Sequence, residues 1–328
     1  MPRSPKLLLP LDYVSDATKS IQKAKSDISF LALVVANEQK TNILIDALID
    51  ASRRGVEVQV AADVFTYGDL GGIMPTRHRY KQSRITTKMG REFKENGVKF
   101  NWLGRTSSLI YSGRTHIKWC IVDDTIYSFG GVNMSNDHID NRDYMLKIED
   151  KVLADKLVNE HNRLVRADAG GYAYRSHSFK SGENTIYIDG GLFGDSIIYR
   201  RACKLASEAK KVTFVSQFCP TGKLSKLLKM TDSKLYFNPS INASKGDSRI
   251  AIKIAMFFSR NKTLYKKPEY LHAKLMICEM PDGRRVALSG SHNLSNVGVL
   301  LGTREIALET EDPIIINQLE DFVKTISD

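Results

Sequence analysis

Two stretches repeat each other and decide the fold: His116-Ile117-Lys118-Trp119-Cys120-Ile121-Val122-Asp123 and His272-Ala273-Lys274-Leu275-Met276-Ile277-Cys278-Glu279. Each is followed by a second matched segment, Gly130-Gly131-Val132-Asn133-Met134-Ser135-Asn136 in the first copy and Gly290-Ser291-His292-Asn293-Leu294-Ser295-Asn296 in the second. The second copy carries four more residues between its segments, where Pro281-Asp282-Gly283 signals a hairpin turn. The histidines lie 156 residues apart in a chain of 328. A period of half the chain means two copies of one fold, not a solenoid of short repeats. In a strand, residues two apart share a face, so His116 with Lys118, and His272 with Lys274, interrupt apolar strands with a polar face. One such pair is commonly an ordinary polar pair at a strand end. Seven further matching or similar positions in the two copies leave that explanation weak.

Outward from the motifs, strands and helices alternate. Strands are expected at 29–36, 56–62, 98–103, 116–122, 125–129 and 144–148, with helices at 42–53 and 152–165. The pattern restarts with strands at 185–188, 212–216, 250–258, 271–278, 286–289 and 305–309, and helices at 196–210, 224–229 and 314–326. This order implies α/β architecture: two similar α/β lobes with mixed sheets. Residues 1–168 form the first lobe and 184–328 the second, with the Gly- and Ser-rich stretch 169–183 as linker.

Composition is that of a globular protein, with 42% apolar and 26% charged residues, which excludes disordered and fibrous classes. Lys and Arg number 48 against 37 Asp and Glu, a net charge of +11 that favours anionic partners: nucleic acid, anionic lipid or phosphorylated substrates. The longest apolar runs fall far short of a membrane span, and residues 1–12 lack a secretory apolar core, so a cytoplasmic protein, peripheral on the membrane at most, is expected. Cys120, Cys203, Cys219 and Cys278 form no C-x-x-C pair, and Cys120 and Cys278 read as reduced core residues.

The chemistry these residues suit is that of a phosphodiester. Two lysines, two asparagines and the Ser135 and Ser295 hydroxyls offer donors to non-bridging phosphate oxygens. Two histidines offer a nucleophile and a general acid, and an imidazole near its ordinary pKa serves either role. Halves packed about a pseudo-twofold axis would let both histidines face one phosphate. No acidic cluster has metal-ligand spacing, and no metal or cofactor is expected.

The doubled H-x-K-x4-D followed by G-G/S-x-N resembles the phospholipase D superfamily over nearly the whole chain. The resemblance implies a two-lobed fold, one active site at the lobe interface and metal-independent chemistry through a phosphohistidine. It implies His116 as nucleophile and His272 as acid, with the near symmetry of the halves allowing the reverse. It implies that Lys118, Lys274, Asn133 and Asn293 bind the phosphate, and that Asp143 and Glu305 orient the catalytic histidines. The motif acids Asp123 and Glu279 are implied to be structural, and Glu279 departs from the family's Asp.

Gly130-Gly131-Val132-Asn133 followed by Asn141-Arg142-Asp143 and an apolar strand is most similar to cardiolipin synthase-type phosphatidyltransferases. A lipid phosphatidyltransferase or phospholipase is therefore the first expectation, a nuclease on DNA or RNA the second, and a catalytically idle basic scaffold the third. Residues 77–94 hold seven cations, Arg77, Arg79, Lys81, Arg84, Lys88, Arg91 and Lys94, against Glu92. They suit an anionic bilayer, or a nucleic-acid backbone with Tyr80 available for stacking. A second basic stretch at 260–267 could line the same entrance. One chain carries both histidines, so a monomer suffices and a dimer is possible.

Overall fold

The computed structural model describes residues 4–66, 77–104, 113–243 and 246–327; for 77–83, 246–248 and 251 it describes the backbone alone. The chain divides into two compact units. The first holds Met1–Ser128, Val132–Asp140 and Tyr144–Tyr174, and the second Phe129–Gly131, Asn141–Asp143 and Arg175–Asp328. Two short segments of the first half thus belong to the second unit, and one carries Asp143.

The first unit is built on β1 (Lys6–Leu8), β2 (Asp27–Ala32), β3 (Glu57–Asp63), β4 (Lys99–Leu103), β5 (Trp119–Val122), β6 (Thr125–Ser128) and β7 (Met145–Glu149). They form one sheet in the order β1-β7-β6-β5-β2-β3-β4. The pairs β2–β3 and β3–β4 are parallel and the rest antiparallel. Its helices are α1 (Pro10–Lys23), α2 (Asn42–Arg53), α3 (Arg77–Glu95), the short α4 (Asn136–Ile139) and α5 (Lys151–Gly170).

The second unit has β8 (His177–Ser181), β9 (Asn184–Gly190), β10 (Lys211–Val215), β11 (Asp232–Tyr236), β12 (Leu275–Glu279), β13 (Arg285–Gly290) and β14 (Arg304–Thr310), in the order β11-β10-β12-β13-β14-β9-β8. Its helices are α6 (Ile197–Glu208), α7 (Gly222–Met230), α8 (Gly246–Ser259), α9 (Asn296–Leu301) and α10 (Pro313–Ser327). The duplication read from the motifs holds strand by strand: β1-β7-β6-β5-β2-β3 runs as β9-β14-β13-β12-β10-β11. Each sheet then adds one strand of its own, β4 beside β3 and β8 beside β9.

Local sequence explains most of these elements. Every residue of β5 is buried, as a central strand covered on both faces requires. On α2, Leu44, Ile45, Leu48 and Ile49 make the buried stripe, while Asp46, Asp50 and Arg53 do not join it. Helix α5 starts where the Asp150 carboxylate accepts the Leu153 amide at 3.0 Å, and ends at Gly171 in the left-handed region.

Three local readings change. Residues 250–258 are not a strand but the body of α8; the Ile250-Ala-Ile252-Lys-Ile254 alternation imitates a strand, yet only Ile252 of the three is buried. The stretch 169–183 contains β8, which pairs with β9. The His-x-Lys pairs precede strands β5 and β12 instead of lying in them. Among the described residues no helix is long and apolar enough to cross a membrane.

Candidate active site

The lead-in to each motif strand has the same construction. Lys118 Nζ donates to the His116 carbonyl at 2.6 Å, and Lys274 Nζ donates to the His272 carbonyl. Both lysines are buried. An ammonium that turns back on the carbonyl two residues earlier fixes the backbone between them, so each lysine positions its own histidine as well as carrying charge. Burial pushes the Lys274 ammonium down to about 8, against the upward pull of Asp143 and Glu305.

Each lead-in is pinned one residue before its histidine by a polar side chain at or just past the end of the matching strand. In the first unit Asp63, at the end of β3, accepts the Thr115 amide at 2.8 Å and the Arg114 guanidinium at 3.0 Å. Burial raises its carboxyl above the usual range, and the Thr115, Phe65 and Arg114 donors oppose that rise. In the second unit Asn238, just past β11, accepts the Leu271 amide at 2.8 Å and donates to the Leu271 carbonyl at 2.7 Å. Neither residue is identifiable from its sequence neighbourhood. The only available signal was a lone polar residue closing an apolar strand run, which is common in α/β proteins.

His272 is buried, and its Nδ1 lies 2.7 Å from Asp143 Oδ2. A carboxylate accepts, so Nδ1 carries the proton. The Asp143 carboxylate also accepts the Gly131 amide at 3.2 Å. The pairing is built by backbone: Arg142 bridges Leu271, and the Arg142 carbonyl accepts the His272 amide at 2.9 Å. Gly131 has to be glycine, because a Cβ there would stand 2.6 Å from the Asp143 carboxylate and 2.8 Å from the His272 carbonyl. Ser289 Oγ, at 2.6 Å, ties β13 to the Phe129 carbonyl. The acid ten residues after the first asparagine thus orients the histidine of the second motif.

Its counterpart Glu305 is buried and accepts from Ser291 Oγ and, at 2.8 Å, from Thr303 Oγ1. Asn133 is buried, and its Oδ1 accepts the Val34 amide at 3.4 Å, an arrangement set by the Val35–Met134 bridge. Asn293 is half-buried, and among the described residues its Oδ1 has no hydrogen-bond partner. Ser135 and Ser295 head the short helices α4 and α9; Ser135 Oγ meets His138 Nδ1 at 2.6 Å, and Ser295 Oγ accepts the Gly298 amide. His292 is buried and accepts the Leu294 amide on Nδ1, and burial holds its pKa below the usual range against the pull of Glu305. Asp123 sits in the β5–β6 turn and accepts the amides of Lys25, Ser26 and Asp27. Glu279 instead pairs with Lys211 Nζ at 3.5 Å.

The family described as "Cardiolipin synthase, PLD-like domain" matches residues 18–165. That span includes His116, Lys118, Asn133 and Asp143, and the second unit repeats their pattern. The match places a phospholipase D-like domain in the first half of the chain. Two solved structures are similar to it. Phosphatidylserine synthase of Haemophilus influenzae Rd KW20 aligns with a TM-score of 0.73 at 14% identity, over 98% of this chain and 85% of that one. Polyphosphate kinase of Porphyromonas gingivalis aligns with a TM-score of 0.62 at 12% identity, over 97% of this chain and 49% of that one, so this chain spans about half the kinase. No curated protein matches in sequence.

The basic strip lies on α3. Arg84, Lys88, Arg91 and Lys94 are exposed there, and Lys88 reaches Glu92 at 3.4 Å. The side chains of Arg77, Arg79 and Lys81 lie outside the described residues.

Proposed function

We propose that this protein breaks and remakes phosphodiester bonds in phospholipid through a phosphohistidine, as a cardiolipin synthase-type phosphatidyltransferase or a phospholipase D. The observation that carries the reading is the buried His272–Asp143 pair with Lys274 beside it. With Nδ1 protonated and held, Nε2 either attacks phosphorus or, as imidazolium, gives a proton to a leaving alcohol. Each motif supplies one histidine. One forms a P–N bond as the P–O bond to the first alcohol breaks, and the other protonates that alcohol. A second alcohol or water then attacks, passes its proton to the acid-base histidine, and the P–N bond breaks. The lysines of the motifs balance the phosphate charge, and the asparagine amides donate to its oxygens. The description of the matching family supports a lipid over a nucleic-acid substrate.

The test is a product assay with EDTA present, offering labelled phosphatidylglycerol in vesicles or labelled single-stranded DNA. Cardiolipin identifies transfer and phosphatidic acid hydrolysis. Cleaved DNA with intact lipid would replace the lipid reading with a nuclease. Residual turnover in His116→Ala close to that of the unaltered protein would overturn the phosphohistidine.

A further inference from the structure

Helix α8 turns most of its large apolar side chains outward. Its large apolar side chains Ile250, Ile254, Phe257 and Phe258 are 61%, 51%, 78% and 79% exposed, while Ile252 on the opposite side is buried. Positions i, i+4, i+7 and i+8 form one stripe on a helix. The two phenylalanine rings lie edge to face with centroids 5.5 Å apart. Ile241, 78% exposed, belongs to the single turn Ser240–Asn242 that packs on α8, and Leu264 beyond the helix is also exposed. Such a patch on a soluble face costs solubility unless something covers it.

Charge selects the occupant. From Arg249 to Pro268 the chain has six cations, Arg249, Lys253, Arg260, Lys262, Lys266 and Lys267, and no acid. Arg249 and Lys253 flank the apolar stripe on α8 itself. Two copies meeting through this patch would bring like charges together, which disfavours self-association. A nucleic-acid backbone satisfies the cations and leaves Ile250 and Ile254 in water. An anionic bilayer satisfies both: the rings and isoleucines enter the acyl boundary while the cations meet headgroups. Helix α3 offers cations without this, since Met89 and Phe93 are buried and none of its described side chains is both large, apolar and exposed.

We propose that α8, with the following basic segment, docks the protein on an anionic lipid surface through Phe257, Phe258, Ile250 and Ile254. The proposal rests on the lipid reading of the active site and adds to it a point of attachment. Membrane contact moves from the strip at 77–94 to a helix that ends thirteen residues before His272.

The experiment uses the full chain and vesicles of phosphatidylcholine with or without phosphatidylglycerol. Sedimentation with the anionic vesicles, weakened by salt, is expected for the unaltered protein. The pair Phe257→Ser with Phe258→Ser should lower partitioning at least tenfold, and Phe257→Trp should keep it. Lys253→Glu should lower it several-fold, in line with roughly fivefold per basic residue at an anionic surface. The serine pair should retain its thermal midpoint and its turnover of a water-soluble short-chain phosphodiester. Absence of binding by the unaltered protein, or undiminished binding by the serine pair, overturns the docking proposal. So does a dimer that the serine pair converts to monomer, or a loss confined to single-stranded DNA binding. Failure to turn over the soluble diester overturns the catalytic reading instead, whatever the vesicles show.

Discussion

The two motif copies share their lysine-to-carbonyl bond and differ in almost everything that surrounds it. Gly131 in the first copy stands where the second has Ser291. Asp143 consequently receives a backbone amide from Gly131, whereas the longer Glu305 receives a hydroxyl from Ser291. Asp63 pins the first lead-in as an anion with Arg114 beside it, and Asn238 pins the second as a neutral amide. Asp123 gathers three backbone amides, and Glu279 makes a half-exposed ion pair. The comparison teaches that duplication preserved the bond from lysine to histidine carbonyl while each unit found its own means of holding the lead-in.

The sharpest way to break that view is at the carboxylate that holds His272. Asp143→Asn keeps size and burial but no longer fixes the Nδ1–H tautomer, and kcat should fall at least about 100-fold with little change in KM. A loss below tenfold would mean that the acid supports the loop and not the imidazole.

Stability should separate Asp63 from its neutral counterpart. Asp63→Asn strips Arg114 of its buried carboxylate and should cost about 3 kcal/mol in urea unfolding. A cost under 1 kcal/mol would show that an amide serves equally in the first unit, as Asn238 does in the second. The motif acids give a smaller contrast. Asp123→Ala leaves three amides without their acceptor and should cost about 2 kcal/mol, while Glu279→Gln should stay within about 0.5 kcal/mol. Equal costs would remove the asymmetry.

The smallest effect is read in pH. Lys274 has a folded pKa of about 8, below its ordinary value of 10.5. Between those values the folded protein has lost a proton that the unfolded chain still holds, so stability from this group rises with pH across that window. Phosphate binding runs the other way, and kcat/KM should fall about tenfold per pH unit above roughly 8. Lys274→Arg stays charged and should move that limb upward, even with lower overall activity. An unmoved limb would assign it to another group.

The parts of the site that are contiguous in sequence were legible there. His-x-Lys and the Gly-x-Asn loop repeat within short windows, and the runs Trp119–Val122 and Leu275–Cys278 that follow His-x-Lys are apolar, so spacing alone exposes the duplication. The Asp143–His272 bond spans 129 residues and joins the acid of one copy to the histidine of the other, so no window contains it. Asp63 and Asn238 carry no local mark because their role lies in the lead-in that the sheet brings beside them. Helix α8 reads as a strand in sequence because its β-branched alternation matches strand periodicity, and its exposed apolar residues violate the rule that periodicity relies on.

The sequence by itself determined the α/β class, the duplication and the residue types of the chemistry, because hydrophobic period and motif spacing act over a few residues. Only the tertiary structure decided which acid holds which histidine, what pins each lead-in and that α8 presents its apolar side outward. Those are choices among partners far apart along the chain, made by strand pairing and burial, and the free energy that selects them exists only once each unit has folded.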